Sequence, residues 1–275
     1  MNMIDFHTHI FPETLAERAI THLAKTSGNM IAYGAGLKED LVRNMDESRT
    51  VLSVVLSIAT NEKQMKNVND FAISVNGYKD KLVSFGSVYP HSDSAVDELY
   101  RLHDNGIKGI KLHPEYQDFF VDDAQFAPLY ETLTKLNMIT VFHAGMDNGF
   151  ADDGKAFAGR FAQTLKVLKS PIVLAHMGGY MEWLQVEKHL VGKDIYFDTS
   201  FCFSRIPLPI MSRMVKNHGC GRILFGSDSP WSTPQLERRL IDALDISEED
   251  KAKVLYRNAE NLLCIKPITN YLKNY

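Results

Sequence analysis

"MIDFHTHIF", residues 3–11, is the stretch whose reading decides the fold. In an extended segment side chains alternate, so Asp5, His7 and His9 share one face while Ile4, Phe6 and Thr8 share the other. The apolar face suits an interior strand. The other face carries two imidazoles and a carboxylate that need partners, and a metal ion is one candidate.

Similar short runs rich in Val, Ile and Phe recur at 51–59, 82–89, 107–114 (interrupted by lysines), 138–145, 171–179, 194–200 and 222–230. With the run at 3–9 they predict eight strands. Amphipathic stretches lie between them, such as "DSAVDELYRLHDNG", in which Val96, Leu99, Tyr100 and His103 mark one face before Gly106. "APLYETLTKLN" and "RFAQTLKVLKS" read the same way. Alternating strands and helices imply parallel pairing, and eight such units close most economically as an α/β protein of the (β/α)8 TIM-barrel type. An open doubly wound sheet is the alternative, but it would normally begin with a glycine-rich nucleotide turn, which is absent.

The 275 residues fit one barrel domain, 1–275. The first connection, from about Ile10 to Thr50, is longer than the others. It predicts a helix from Glu13 to Lys25, a loop around "TSGNMIAYGAG" and a helix from Leu37 to Met45. Such an excursion after the first strand is a candidate lid over the barrel mouth. The tail after Ile265 reads as a short terminal extension.

Composition sets limits on partners. A net charge of −4 offers no basic field for nucleic acid, and no apolar run approaches the roughly 20 residues that span a bilayer. The N-terminus lacks a basic segment followed by an apolar one, so the expected compartment is the cytoplasm. Cys202, Cys220 and Cys264, odd in number and widely spaced, suit reduced thiols. A small-molecule substrate is the expected partner, and association into a homo-oligomer is left open.

Polar residues gather at the C-terminal ends of the predicted strands: His7 and His9, then His113, His143, His176 and Asp228. A barrel brings those ends to one face, where active sites of this fold are built. A lone histidine at such a place is commonly a hydrogen-bonded buried residue; the set is harder to explain that way. His22, His91, His103, His189 and His218 fall in helices or loops and read as surface residues. His7, His9, His143 and Asp228 make a plausible shell of three nitrogens and an oxygen for a divalent ion, expected to be Zn2+, with room for water. A metal can lower the pKa of bound water from 15.7 to about 7, and Asp228 could accept the released proton.

"DFHTHIF", "GIKGIKLHP", "VFHAG", "LAHMGG" and "ILFGSDSPW", in order on successive predicted strands, together resemble the amidohydrolase superfamily. The resemblance is to the amidohydrolase-related branch that includes the aminocarboxymuconate-semialdehyde decarboxylase-like enzymes, and "YRNAENLL" resembles that branch's ending. It implies that His7, His9 and His143 are metal ligands, that Asp228 is the strand-eight aspartate, and that His176 orients or protonates substrate or binds a second ion. One ion is expected, with two allowed. Lys111 shares a face with Gly109 and His113; it is expected, with His113, to meet substrate, the alternatives being a carboxylated bridge between metals and a structural lysine. The resemblance implies hydrolysis of an amide, ester or lactone bond, with nonoxidative decarboxylation of an unsaturated or aromatic acid as the alternative. A non-catalytic metal-binding barrel is the remaining reading, disfavoured because structural zinc sites are usually closed and cysteine-rich.

Other features are open. Trp231 could line the pocket or pack the rim, and "DTSFCFSRIP" could bring Ser200, Cys202 or Arg205 toward substrate or form a surface loop. The glycine-rich segment after His143 reads as a mobile loop whose Asp147, Asp152 and Asp153 are not required as ligands. "DISEEDKAKVL" predicts a helix capped by Asp245 or Ser247. Asp5 reads as a supporting carboxylate rather than a ligand.

Overall fold

The computed structural model describes residues 1–150 and 154–267. Asp152, Asp153 and most of the tail after Ile265 lie outside the described residues. All eight predicted strands are present: β1 (Met3–Thr8), β2 (Thr50–Leu56), β3 (Leu82–Phe85), β4 (Gly109–Leu112), β5 (Ile139–Phe142), β6 (Ile172–Leu174), β7 (Tyr196–Asp198) and β8 (Ile223–Leu224). They pair in parallel in the orders β1-β2-β3 and β4-β5-β6-β7-β8.

Backbone hydrogen bonds join the two sheets at both seams. Between β3 and β4, Gly86 N donates to Gly109 O (3.0 Å) and Lys111 N to Gly86 O (2.8 Å). Between β8 and β1, Phe6 N donates to Phe225 O (2.8 Å), Asp228 N to His7 O (2.8 Å) and His9 N to Ser229 O (2.7 Å). Parallel strands with helical crossovers, connected in sequence order around both seams, are the architecture of a (β/α)8 barrel.

Two apolar layers explain why these runs form strands. Ile4, Phe6, Leu52, Val54, Phe85, Val141, Val173 and Leu224 form one cluster contributed by six strands. Ile110, Leu112, Phe142, Leu174 and Phe197 form another with the helix residues Leu99, Leu102, Leu129 and Leu133, packing strands against the helical ring. Strands buried on both sides read as continuous apolar runs, and every residue of β1 is buried. Its polar residues are therefore interior, not solvated. At Gly109 a Cβ would fall 2.5 Å from Ile139 O and 2.6 Å from the Phe85 ring, so only glycine lets β4 approach so closely.

The strands end earlier than the apolar runs, because the donor-bearing residues lie just past the ladder. There the backbone turns away, with φ of 58° at His176 and 67° at Asp228. Helices match the periodicity, including Ala95–Asp104, Ala127–Lys135 and Ala158–Thr164. The first of these is rotated from expectation: it buries Ala95, Glu98, Leu99 and Leu102, while His103 faces solvent. Ser247 Oγ, not Asp245, caps Glu248–Ala252 by accepting from Asp250 N.

The long first connection forms α1 (Glu13–Thr26) and α2 (Lys38–Ser48). Leu41, Val42 and Met45 of α2 pack on Val55 and Leu82 as an ordinary barrel helix does. On α1 only Ala16 is buried, so this helix rests on the surface. His218, expected at the surface, is buried: its ring stacks on Phe197 at 4.1 Å, Nδ1 accepts from Gly192 N and Nε2 lies 2.9 Å from Ile195 O. A helix residue facing a strand aromatic becomes a core residue whatever its polarity, provided both ring nitrogens find partners. The three cysteines are free thiols, and no described helix is long and apolar enough to cross a membrane.

Candidate metal centre

His7, one residue before the end of β1, has Nδ1 2.8 Å from Asp198 Oδ2. A carboxylate only accepts, so Nδ1 carries the hydrogen and Nε2 keeps its lone pair. Burial, reinforced by the charge of Lys111, pushes the His7 pKa down to about 3, which keeps the ring neutral. Burial works against the Asp198 carboxylate, yet the neighbouring His7 overrides it and holds the group ionised. His9 is fixed the same way: Nδ1 lies 2.8 Å from Leu56 O, a carbonyl, which leaves Nε2 bare.

Both bare nitrogens face one oxygen. Asp228 Oδ1 stands 3.1 Å from His9 Nε2 and 3.4 Å from His7 Nε2. Three donor atoms thus converge beside the Lys111 ammonium, an arrangement that suits a bound cation. Donors bound to one ion at about 2.0–2.2 Å stand roughly 3.0–3.6 Å apart for octahedral to tetrahedral angles, so these separations fit a divalent metal. Asp5 supports the group from beneath: its Oδ1 accepts from Ser227 N (2.8 Å) and His7 N (3.2 Å), and burial raises its pKa to about 7.

Lys111 is buried, with Nζ 3.5 Å from His7 Nε2. Burial lowers its pKa to about 8, opposed by the carboxylates Asp198, Asp228 and Asp147. His176 sits beside His7, ring centroids 5.3 Å apart, and its Nε2 reaches His143 Nδ1 at 3.2 Å. Ser200 Oγ lies 3.0 Å from both His7 Nδ1 and His176 Nδ1 and donates to Asp198 Oδ1 at 2.5 Å. Of the open readings for "DTSFCFSRIP", Ser200 is therefore in the site. Cys202 is buried with its thiol pKa pushed up, and Arg205 lies over the Phe201 ring at 3.5 Å. Trp231 is buried, its backbone N–H donating to Asp228 O (2.8 Å).

His143 stands in a second group of possible ligands with His113 and Asp147. The His113 and His143 rings stack at 4.1 Å and 11°. Asp147 Oδ2 is 3.4 Å from His113 Nε2 and 3.9 Å from His143 Nε2. Burial lowers the pKa of both histidines, and the hydrogen bond to His113 helps keep Asp147 ionised despite its burial. The loop carrying Asp147 is pinned at Gly145, where φ is +85° and a Cβ would meet Tyr180 N at 2.3 Å.

The six donors and Lys111 singled out from the sequence lie at one end of the barrel, with His7, His9 and Asp228 in one group, His113 and His143 in another, and His176 between them. Asp198 is not among them, and Asp147 reads from the sequence as a residue not required as a ligand. Asp198 carried a usable signal: it ends the only strand of the later five to which no polar residue had been assigned.

The amidohydrolase family model matches residues 4–265. No curated protein matches the chain. Among solved structures, an uncharacterized TIM-barrel protein from Bordetella bronchiseptica is 18% identical, with a TM-score of 0.76 over 96% of this chain and 99% of that one. A 2,6-dihydroxybenzoate decarboxylase from Rhizobium is 17% identical, TM-score 0.69, over 96% and 99%. A dihydroxybenzoic acid decarboxylase from a Polaromonas species, with bound manganese and the inhibitor 2-nitroresorcinol, is 18% identical, TM-score 0.71, over 96% and 97%. These likenesses show the fold, and the family model extends along nearly the whole described barrel. The chain belongs to the amidohydrolase family and is an enzyme of that family.

Proposed function

We propose that the chain is a metal-dependent nonoxidative decarboxylase of a small unsaturated or aromatic acid. The observation that carries this reading is Lys111, a buried ammonium beside His7 with no carboxylate within 4.0 Å among the described residues. A buried cation without an ion-pair partner is costly, and a substrate carboxylate is the partner that fits. The fold likeness to two decarboxylases supports the same reading. Hydrolysis, placed first on sequence, uses the same donors but gives Lys111 no part in the bond broken.

His7, His9 and Asp228 are the residues proposed to hold the ion. Their nitrogen and oxygen donors suit Zn2+ and Mn2+ alike, and a relative binds manganese, so zinc is no longer singled out. When bound there, a divalent ion supplies a fixed positive charge that orients a substrate oxygen and draws electron density toward it.

The chain's own residues do the rest. Lys111 binds the substrate carboxylate, and the aromatic cluster of His113, His143 and Tyr116 beside it suits a planar acid. In the reaction a proton adds to the carbon that bears the carboxylate. The bond to the carboxyl carbon then breaks, its electron pair returns to the carbon framework and CO2 leaves. Asp228 is placed to pass that proton on: Oδ1 faces the imidazoles, and Oδ2 is left to take it up transiently, since, despite burial, the hydrogen bond to His9 and the neighbouring imidazoles hold the carboxylate ionised at rest. His176, tied to Ser200 and His143, orients the neighbouring rings.

Residues 26–36 are proposed to cover the mouth. Tyr33 N donates to Pro230 O at 2.7 Å, and Gly149 of the loop after β5 packs against Thr26 and Ser27. Closure there would exclude water during proton transfer.

The test is incubation of Mn2+-loaded protein with hydroxybenzoates and unsaturated diacids, following CO2 release and incorporation of labelled bicarbonate into the product. CO2 release that is lost in Lys111→Met supports the proposal. Turnover of amide, ester or lactone substrates without CO2 release overturns it in favour of hydrolysis.

A further inference from the structure

We propose that Ser87 and Gln117 are positioning residues that hold the end of β4, and with it Lys111 and His113, where substrate is met; the inference rests on the carboxylate-binding role given to Lys111. Among the described residues no carboxylate lies within 4.0 Å of the Lys111 ammonium, so no ion pair fixes it in the free protein. Its place is set from the backbone that carries it.

That backbone is held by side chains. On the β5 side of β4 a main-chain bond continues, His143 N donating to Leu112 O at 2.9 Å. On the β3 side the last main-chain bond runs from Lys111 N to Gly86 O, and the next carbonyl, Lys111 O, accepts from Ser87 Oγ at 2.8 Å. Asn69, on the helix Glu62–Val75, brackets the Ser87 backbone: Nδ2 donates to Ser87 O and Oδ1 accepts from Ser87 N, each at 2.8 Å. Asn69 Nδ2 also donates to Glu98 Oε1 at 2.6 Å, and Arg101 holds both oxygens of that carboxylate. The amide cannot flip without losing all three bonds.

Gln117 ends the short helix Pro114–Gln117 and reaches back over the strand ends. Its Oε1 accepts from His113 N at 2.8 Å, while Nε2 donates to Ala59 O and Val88 O, each at 2.8 Å, and lies 3.4 Å from Ser87 Oγ. Ala59, Val88 and His113 follow β2, β3 and β4, so one amide ties three consecutive strand ends together. Gln117, Ser87 and Asn69 are all fully buried. A buried network with every member satisfied permits one arrangement, which suits residues that must present an ammonium and an imidazole at fixed points.

The test is calorimetric titration of the Mn2+-loaded chain with benzoate, a simple carboxylate probe. Benzoate dissociation should weaken about threefold in Ser87→Ala and about tenfold in Gln117→Met, since small displacements at a site are costly. Ser87→Ala removes a single hydroxyl and carries the test if Gln117→Met does not fold. The Ser87→Ala loss should vanish in the double variant of Ser87→Ala and Lys111→Met, as expected of a residue acting through Lys111. Asn258, whose Nδ2 donates to Cys220 O (2.7 Å) and Ile223 O (2.8 Å) where β8 begins, is the structural control: Asn258→Ala should lower the unfolding midpoint and leave benzoate affinity unchanged. Unchanged affinity in Ser87→Ala, or a loss that persists in full in the double variant, overturns the inference. If Lys111→Met binds benzoate as tightly as the unsubstituted chain, the carboxylate reading fails instead. Crystals of Ser87→Ala then decide: Lys111 Nζ displaced from His7 supports the positioning role, and an unmoved Nζ overturns it.

Discussion

Asp198 Oδ2 lies 2.8 Å from His7 Nδ1, with both side chains buried, and this one contact sets which nitrogen of His7 faces the metal centre. Asp198 Oδ1 meanwhile accepts from His176 N (3.1 Å), Ser200 N (3.0 Å) and Ser200 Oγ (2.5 Å). Asp198→Asn keeps the shape but removes the charge that fixes the tautomer. Metal affinity, measured by competition with a chromophoric chelator, should fall about 10–100-fold while the fold is retained. An unchanged affinity would show that the contact is only structural.

Lys111→Met removes a buried charge and replaces it with an apolar chain of similar length. Losing one partner of a buried charge pair costs about 2–5 kcal/mol, so dissociation of a carboxylate inhibitor should weaken about 30-fold or more. Stability should hold or rise, because the free protein no longer buries an unpaired ammonium. Calorimetric titration with the inhibitor and a denaturant melt check the two halves separately.

Metal binding should stabilise the fold, since the converging lone pairs of His7, His9 and Asp228 exist only in the folded chain. At a free-metal concentration of about 100 Kd the gain is about 2.7 kcal/mol, or roughly 5–10 °C in Tm for a chain of this size. His9→Ala should abolish most of that increment. Thermal melts with Mn2+ and with chelator measure it; equal increments in the two proteins would contradict the ligand assignment.

Glu237 gives a pH dependence remote from the chemistry. Its carboxylate accepts from Cys202 N, Phe203 N and Ser232 Oγ, yet burial raises its pKa from 4.5 to about 7. Between these values the folded chain holds a proton that the unfolded chain has released, so stability falls as pH rises through that window. The loss is on the order of 3 kcal/mol once the group is ionised. Gln preserves the acceptor for both backbone N–H groups and can donate to Ser232. Subtracting the unfolding free energy of Glu237→Gln from that of the unsubstituted chain, at about pH 5 and about pH 8, isolates this group. A difference that does not change with pH would refute it.

The parts of the fold legible in the sequence are those with a period. Eight apolar runs gave eight strands because each is buried on both sides, and alternation carried Lys111 and His113 toward the site. What stayed hidden depends on contacts between distant segments. Asp198 looks like any strand-end aspartate until His7 is placed 191 residues away, and Asp147 looks like a loop residue until the pinned turn at Gly145 folds it back on His113. His218 escaped for the converse reason, since its burial follows from Phe197 on a neighbouring strand. The division of the histidines into two groups rests on rotamers and tautomers, which no spacing rule encodes.

The seam between β1 and β8 carries a consequence for assembly in the cell. His9 and Asp228 are 219 residues apart, and the backbone bonds that set them side by side form only after the eighth strand has been made. A nascent or truncated chain lacking the eighth strand would carry two histidines and no acid. Tight capture of metal at the proposed centre therefore waits until the first strand has met the eighth.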